Sequence, residues 1–118
     1  MEITELKPAI VWKYFHEITQ VPRPSKKEEK IIAYLEKFAH DHGIEYKKDE
    51  VGNIVMSKPA TPGYEDRVKL ILQSHVDMVC EKNAGTAHDF DNDPIRTIID
   101  GEWLHADGTT LGADNGIG

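Results

Sequence analysis

The chain has 118 residues, 39% of them hydrophobic and 30% charged, with a formal net charge of −7. That length suits one ordinary soluble domain with a modest core, and the acidic balance argues against a general nucleic-acid or anionic-membrane binder, which would show a basic face. The single cysteine, Cys80, excludes an internal disulfide framework and a cysteine-based zinc site and fits a reducing compartment.

The N-terminus, Met1-Glu2-Ile3-Thr4-Glu5, is acidic and lacks an apolar signal core. No apolar run is long enough to span a bilayer, so the expected address is the cytoplasm. Pro8 suits the start of a helix, and Ile10, Val11, Tyr14, Phe15 and Ile18 recur at helical spacing as one apolar face. Val21-Pro22-Arg23-Pro24 ends that helix, because neither proline can continue the hydrogen-bond ladder. Ser25-Lys26-Lys27-Glu28 has the form of a capping box. The helix it opens carries Ile31, Ile32, Leu35, Phe38 and Ala39 on one side and stops at Gly43. The period then changes. Ile44-Glu45-Tyr46-Lys47 and Asn53-Ile54-Val55-Met56 read as neighbouring strands around a Val51-Gly52-Asn53 turn. Lys58-Pro59-Ala60-Thr61-Pro62-Gly63 is a surface loop. Residues 68–72 are apolar at successive central positions, which predicts a strand covered on both faces. Residues 95–99 and 102–105 flank Asp100-Gly101, a two-residue hairpin signal. The fold class expected is α/β, with two N-terminal helices followed by strands. The final glycine-rich loop would ordinarily lead into a further element, so the sequence reads as the opening part of a larger domain.

Two places carry candidate chemistry. The apolar run 68–72 leads into His75-Val76-Asp77. Such a strand would put an imidazole and a carboxylate at its carboxyl edge, where α/β proteins build active sites. Residues i and i+2 of a strand share a face, and a metal-binding histidine commonly donates its other N–H to a carboxylate. Taken alone, the triplet is better described as a histidine that ends a strand and an aspartate that caps the next turn, because such triplets are common by chance. Asp114, between Gly112 and Gly116, is the second candidate. The flanking glycines allow close approach to a ligand, and a carboxylate can bridge two cations; a solvated Asp-Asn turn is the plainer alternative. The tail lacks the Lys-Ser or Lys-Thr of a phosphate-cradling loop. Cys80 has no nearby cationic feature that would lower its thiol pKa. His88 and His105 are weaker ligand candidates, and His16, His40 and His42 read as helix-side or helix-end residues. Asp89, Asp91, Asn92 and Asp93 lack the glycine and closing glutamate of a calcium loop and read as a solvated acidic loop.

The segments Leu72-Gln73-Ser74-His75-Val76-Asp77-Met78-Val79 and Gly108-Thr109-Thr110-Leu111-Gly112-Ala113-Asp114-Asn115-Gly116-Ile117-Gly118 resemble the N-terminal part of the bacterial aminoacyl-histidine (Xaa-His, or cytosol non-specific) dipeptidases. These are dinuclear zinc peptidases of the M20 class. The resemblance extends to Ile18-Thr19-Gln20-Val21-Pro22-Arg23-Pro24-Ser25, Val51-Gly52-Asn53-Ile54, Lys58-Pro59-Ala60-Thr61, His88-Asp89-Phe90 and Ile99-Asp100-Gly101-Glu102-Trp103.

The resemblance implies that residues 1–118 open a mixed-sheet catalytic domain. It implies His75 as ligand to one zinc, Asp77 as the acid of the catalytic site that orients this histidine, and Asp114 as the carboxylate bridging both zincs, with a cis Asp114–Asn115 peptide. The family's general-base glutamate, its remaining ligands and its lid or dimerisation domain match nothing in these residues. In the family's chemistry two zinc ions activate a shared water and polarise the scissile carbonyl, and the glutamate moves the proton. The implied substrates are short peptides, above all dipeptides including Xaa-His, and the implied assembly is a homodimer without nucleic-acid or membrane partners. Two zincs per complete site are implied, and manganese or cobalt also suit carboxylate-rich sites. The 118 residues alone are expected to be inactive. Three other readings stay open at this point: another M20-like amidohydrolase (a deacylase or aminotripeptidase), a non-catalytic binding module, and a small α/β domain without metal.

Overall fold

A computed structural model describes all 118 residues. A short 3-10 turn, Ile3–Glu5, leads through the cis Lys7–Pro8 bond into helix α1, Ala9–Thr19. Of the apolar face expected on α1, Phe15 is buried, joined by Thr19, whereas Ile10 is 63% exposed. Helix α2, Glu29–Asp41, buries Ile31 and Ala39 and ends two residues before Gly43, whose φ of 63° lets the chain turn away. The expected capping box does not form. Glu28 rather than Ser25 occupies the cap position, its carboxylate accepts from the Lys26 amide, and the Ser25 hydroxyl is engaged elsewhere. The two helices are tied by Tyr34, whose hydroxyl donates to Glu17 at 2.7 Å.

Strands β1, Glu45–Lys48, and β2, Ile54–Ser57, form an antiparallel hairpin. Its turn is organised by Asp49, whose carboxylate accepts from the amides of Val51 and Asn53 and from the Asn53 side chain. Strands β3, Thr97–Asp100, and β4, Trp103–Ala106, form a second hairpin, with Asp100 opposite Trp103. The two turn residues are therefore Gly101 and Glu102, one position beyond the expected Asp100-Gly101. A small cluster of Met78, Ile95 and Ala106, flanked by Cys80, Phe90 and Leu111, packs beside β4. The architecture is mixed α/β, helices first and strands after, with an open sheet arrangement. No helix is long and apolar enough to cross a membrane.

The expected strand over residues 68–72 is corrected by the structure. Val68, Leu70, Ile71 and Leu72 are 84–94% exposed, and residues 68–77 take part in no backbone–backbone hydrogen bond. The reason is a lack of neighbours. A strand buried on both faces needs a hydrogen-bonded partner at each edge and cover above and below, and each hairpin pairs only within itself. The uncovered segment shows in the whole molecule. The accessible surface is 9035 Å², against about 6,500 Å² for a folded monomer of this mass. The radius of gyration is 16.3 Å, against about 13.5 Å for a compact domain of this length.

Candidate metal centre

Three segments meet at the candidate site: the turn at residues 22–25, the stretch 75–78 and the glycine-rich loop 112–116. The first two run side by side. The Met78 amide donates to the Arg23 carbonyl at 2.9 Å, and the Ser25 amide donates to the Met78 carbonyl at 3.2 Å, a single parallel bridge centred on Pro24 and Met78. The third segment is a short helical turn, Ala113–Gly116, in which Asp114 and Asn115 leave helical dihedrals around a cis peptide bond, as the resemblance implies.

His75, Asp77 and Asp114 come together. Asp77 Oδ1 lies 3.0 Å from His75 Nδ1, and Asp114 Oδ1 lies 3.0 Å from His75 Nε2. The second oxygen of Asp77 accepts from the Ser25 hydroxyl at 2.5 Å. The Asp77 carboxyl is held below the ordinary carboxylate range, first by the Ser25 hydrogen bond and further by the His75 ring. The His75 pKa is raised, first by the Asp114 carboxylate and then by Asp77. The Asp114 side chain is 96% exposed, so its second oxygen opens outward.

This geometry carries an electrostatic demand. When Asp77 accepts a hydrogen bond from Nδ1–H of a neutral ring, the Nε2 lone pair faces a carboxylate oxygen, acceptor against acceptor, and a cation must stand between them. A second proton on the ring meets the demand; so does a metal ion. Two ligands of one tetrahedral zinc, each about 2.0–2.1 Å from the metal, stand about 3.3 Å apart. The observed 3.0 Å fits that arrangement with a small opening. The residues present therefore suit a zinc ion held by His75 Nε2 and Asp114, with Asp77 fixing the ring. No group of three or more histidine, cysteine, aspartate or glutamate side chains is positioned to hold a metal, so His75 and Asp114 are candidate ligands without a third.

Other residues weighed as ligands lie apart from this cluster. His88 packs edge-on against Phe90, and His105 Nδ1 lies 3.2 Å from the Ala106 carbonyl oxygen. In the acidic loop Asp89 accepts from the Asp91 amide and the Asn92 side chain, Asp93 accepts from the Asp89 amide, and Asp91 pairs with Lys27. These carboxylates thus organise their own loop. Burial pushes the Cys80 thiol pKa up, the opposite of an activated nucleophile.

Two residues of the site escape a reading by pattern. Ser25 is a partner of Asp77 across 52 positions, whereas its local spacing to Glu28 imitates a helix cap. Arg23 is 2% exposed, and its guanidinium reaches carbonyls in both of the other segments. The local hint was a basic residue locked between two prolines.

No family model matches the chain. It is 50% identical over 117 residues to the cytosol non-specific dipeptidase of Escherichia coli K12, an alignment covering 99% of this chain and 24% of that protein. The crystal structure of aminoacylhistidine dipeptidase from Vibrio alginolyticus superposes with a TM-score of 0.96 at 50% identity, covering 99% of this chain and 24% of that one. The chain thus spans about a quarter of the length of the relatives it matches. Across that quarter the chain is similar in sequence and in fold to these two dipeptidases.

Proposed function

We propose that residues 1–118 are the opening part of the catalytic domain of a cytosolic, zinc-dependent dipeptidase that hydrolyses Xaa-His and other short peptides. The observation that carries this reading is the meeting of His75 Nε2 with Asp114 Oδ1 at 3.0 Å, backed by Asp77 on the other ring nitrogen. The E. coli relative is named a cytosol non-specific dipeptidase and the Vibrio relative an aminoacylhistidine dipeptidase, which supports both the substrate class and the compartment. A metal pair, when bound, would supply Lewis-acid polarisation of the peptide carbonyl and an acidified water. Within this chain His75 would hold one ion through Nε2. Asp114 would offer one oxygen to that ion and the outward one to its neighbour. Asp77 would keep the proton on Nδ1 and so keep Nε2 available.

The general base, the remaining ligands and a lid that dimerises the protein belong to the same reading and lie outside these residues. Two ligands do not close a tetrahedral zinc site, so the 118 residues on their own would be inactive. The experiment is hydrolysis of a dipeptide panel by the full-length protein, before and after chelation, with zinc, manganese and cobalt added back. Chelator-sensitive cleavage restored by metal is the expected result. Chelator-insensitive cleavage, or none by the full-length protein, would overturn the reading, as would activity of the isolated 118-residue chain.

A further inference from the structure

Arg23 is the one basic side chain in the buried core, at 2% exposure. Burying a guanidinium is costly unless its donors are met, yet no carboxylate forms an ion pair with it. Its partners are backbone oxygens. Nη1 donates to the carbonyls of Val76 at 3.1 Å and Asp77 at 3.3 Å, and Nη2 donates to the carbonyl of Gly112 at 2.6 Å. Val76 follows His75, Asp77 orients His75, and Gly112 stands two residues before Asp114. One planar fork therefore grips both segments that carry the candidate ligands. The loop is shaped to receive it. A Cβ at Gly112 would lie 2.5 Å from Nη2 and one at Gly116 would lie 2.8 Å from it, and Gly112 also has a φ of 78° that favours glycine.

The geometry points to Arg23 as a positioning residue that sets the separation of His75 Nε2 and Asp114 before any metal arrives. This rests on the metal-centre reading above. Within these residues, 68–77 make no backbone–backbone hydrogen bond, so the contacts that hold the His75 segment here come from elsewhere. The alignment comes from Arg23 on one side and the Met78 bridge on the other. Lysine at this position keeps the charge but has a single nitrogen, which cannot serve two loops as a two-nitrogen fork does. A shift of about 1 Å in such a pair is enough to cost a large factor in metal affinity and rate.

The test compares full-length wild type with Arg23→Lys. Zinc affinity of the apoprotein is measured by competition with a chromophoric chelator, alongside kcat, KM and the melting temperature. Expected in the variant is zinc affinity at least about tenfold weaker, a kcat lowered by a similar factor, a KM within about threefold of wild type, and a folded protein at the assay temperature. Wild-type zinc affinity and kcat in folded Arg23→Lys would overturn the inference. So would losses that track the unfolded fraction and vanish on cooling. Should the variant not fold, nitrogen-15 NMR of the wild-type apoprotein decides: resolved, slowly exchanging Hη signals for Arg23 are expected, and a freely rotating guanidinium refutes the clamp. Wild-type protein that binds no zinc fails the metal-centre reading itself and this inference with it, whereas a wild type that binds zinc beside an unaffected variant fails this inference alone.

Discussion

Asp77 offers a graded test of the metal-centre geometry. Its carboxylate makes one hydrogen bond to His75 Nδ1 at 3.0 Å and one to Ser25 at 2.5 Å. A hydrogen bond to a charged group contributes about 1.5–3 kcal/mol net and a neutral one about 0.5–1.5 kcal/mol. Asp77→Asn keeps the shape and an acceptor oxygen for Nδ1–H but removes the charge, a loss of about 1–1.5 kcal/mol. At about 1.4 kcal/mol per factor of ten, zinc affinity of the full-length protein falls roughly five- to tenfold. Asp77→Ala removes the partner altogether, and the fall grows to about 10–100-fold, the range found when a ligand loses its outer partner. The side chain is 31% exposed, which places both effects toward the lower ends of their ranges. Chelator competition at neutral pH gives the affinities, and thermal melts show that each variant is folded. Wild-type affinity in Asp77→Ala, or an Asn variant as weak as the Ala variant, would refute the orienting role.

Phe15, buried at 2% in a small core, should cost about 3–5 kcal/mol when cut to alanine, read as a lowered urea midpoint; an unchanged midpoint would mean the α1 face contributes no packing energy. The raised pKa of Cys80 has its first cause in burial, so the folded state favours the neutral thiol. Stability should then fall as pH rises past the ordinary thiol range, where the unfolded chain releases its proton first, and Cys80→Ala should remove that alkaline loss from pH-dependent melts. The exposed apolar run, with Leu70 at 84% and Leu72 at 94%, should make the isolated 118-residue chain self-associate at micromolar concentration. Leu70→Lys with Leu72→Lys should suppress the scattering and leave the melt unchanged; a monodisperse wild type would count against it.

Local signals were legible and long-range ones were not. Helices α1 and α2 and both hairpins appear within a few residues of where periodicity and turn chemistry place them, because each is decided by neighbours along the chain: Asp49 closes its own turn and Gly43 stops its own helix. The strand at 68–72 failed because apolar composition states only that a segment prefers burial. Whether it is buried depends on partners that no window of sequence contains. Ser25 failed for the converse reason. Its spacing to Glu28 satisfies a local rule, but a charged acceptor 52 residues away is a stronger partner than a helix amide.

The same contrast explains why the candidate site is formed although its expected scaffold is not. At a sheet's carboxyl edge, a functional histidine is ordinarily held by the strand that delivers it. Here that strand is unpaired, and His75, Asp77 and Asp114 nonetheless stand at mutual distances of 3.0 Å through the two ring nitrogens. What holds them is a proline-stiffened turn. Pro22 and Pro24 each fix a φ near −65°, so the segment between them loses little entropy on docking. Three contacts from this turn then act together. The Met78 bridge holds the strand end, Ser25 holds Asp77, and Arg23 holds the loop that bears Asp114. Within these residues the arrangement of His75, Asp77 and Asp114 therefore rests on the turn at 22–25 and not on a paired strand.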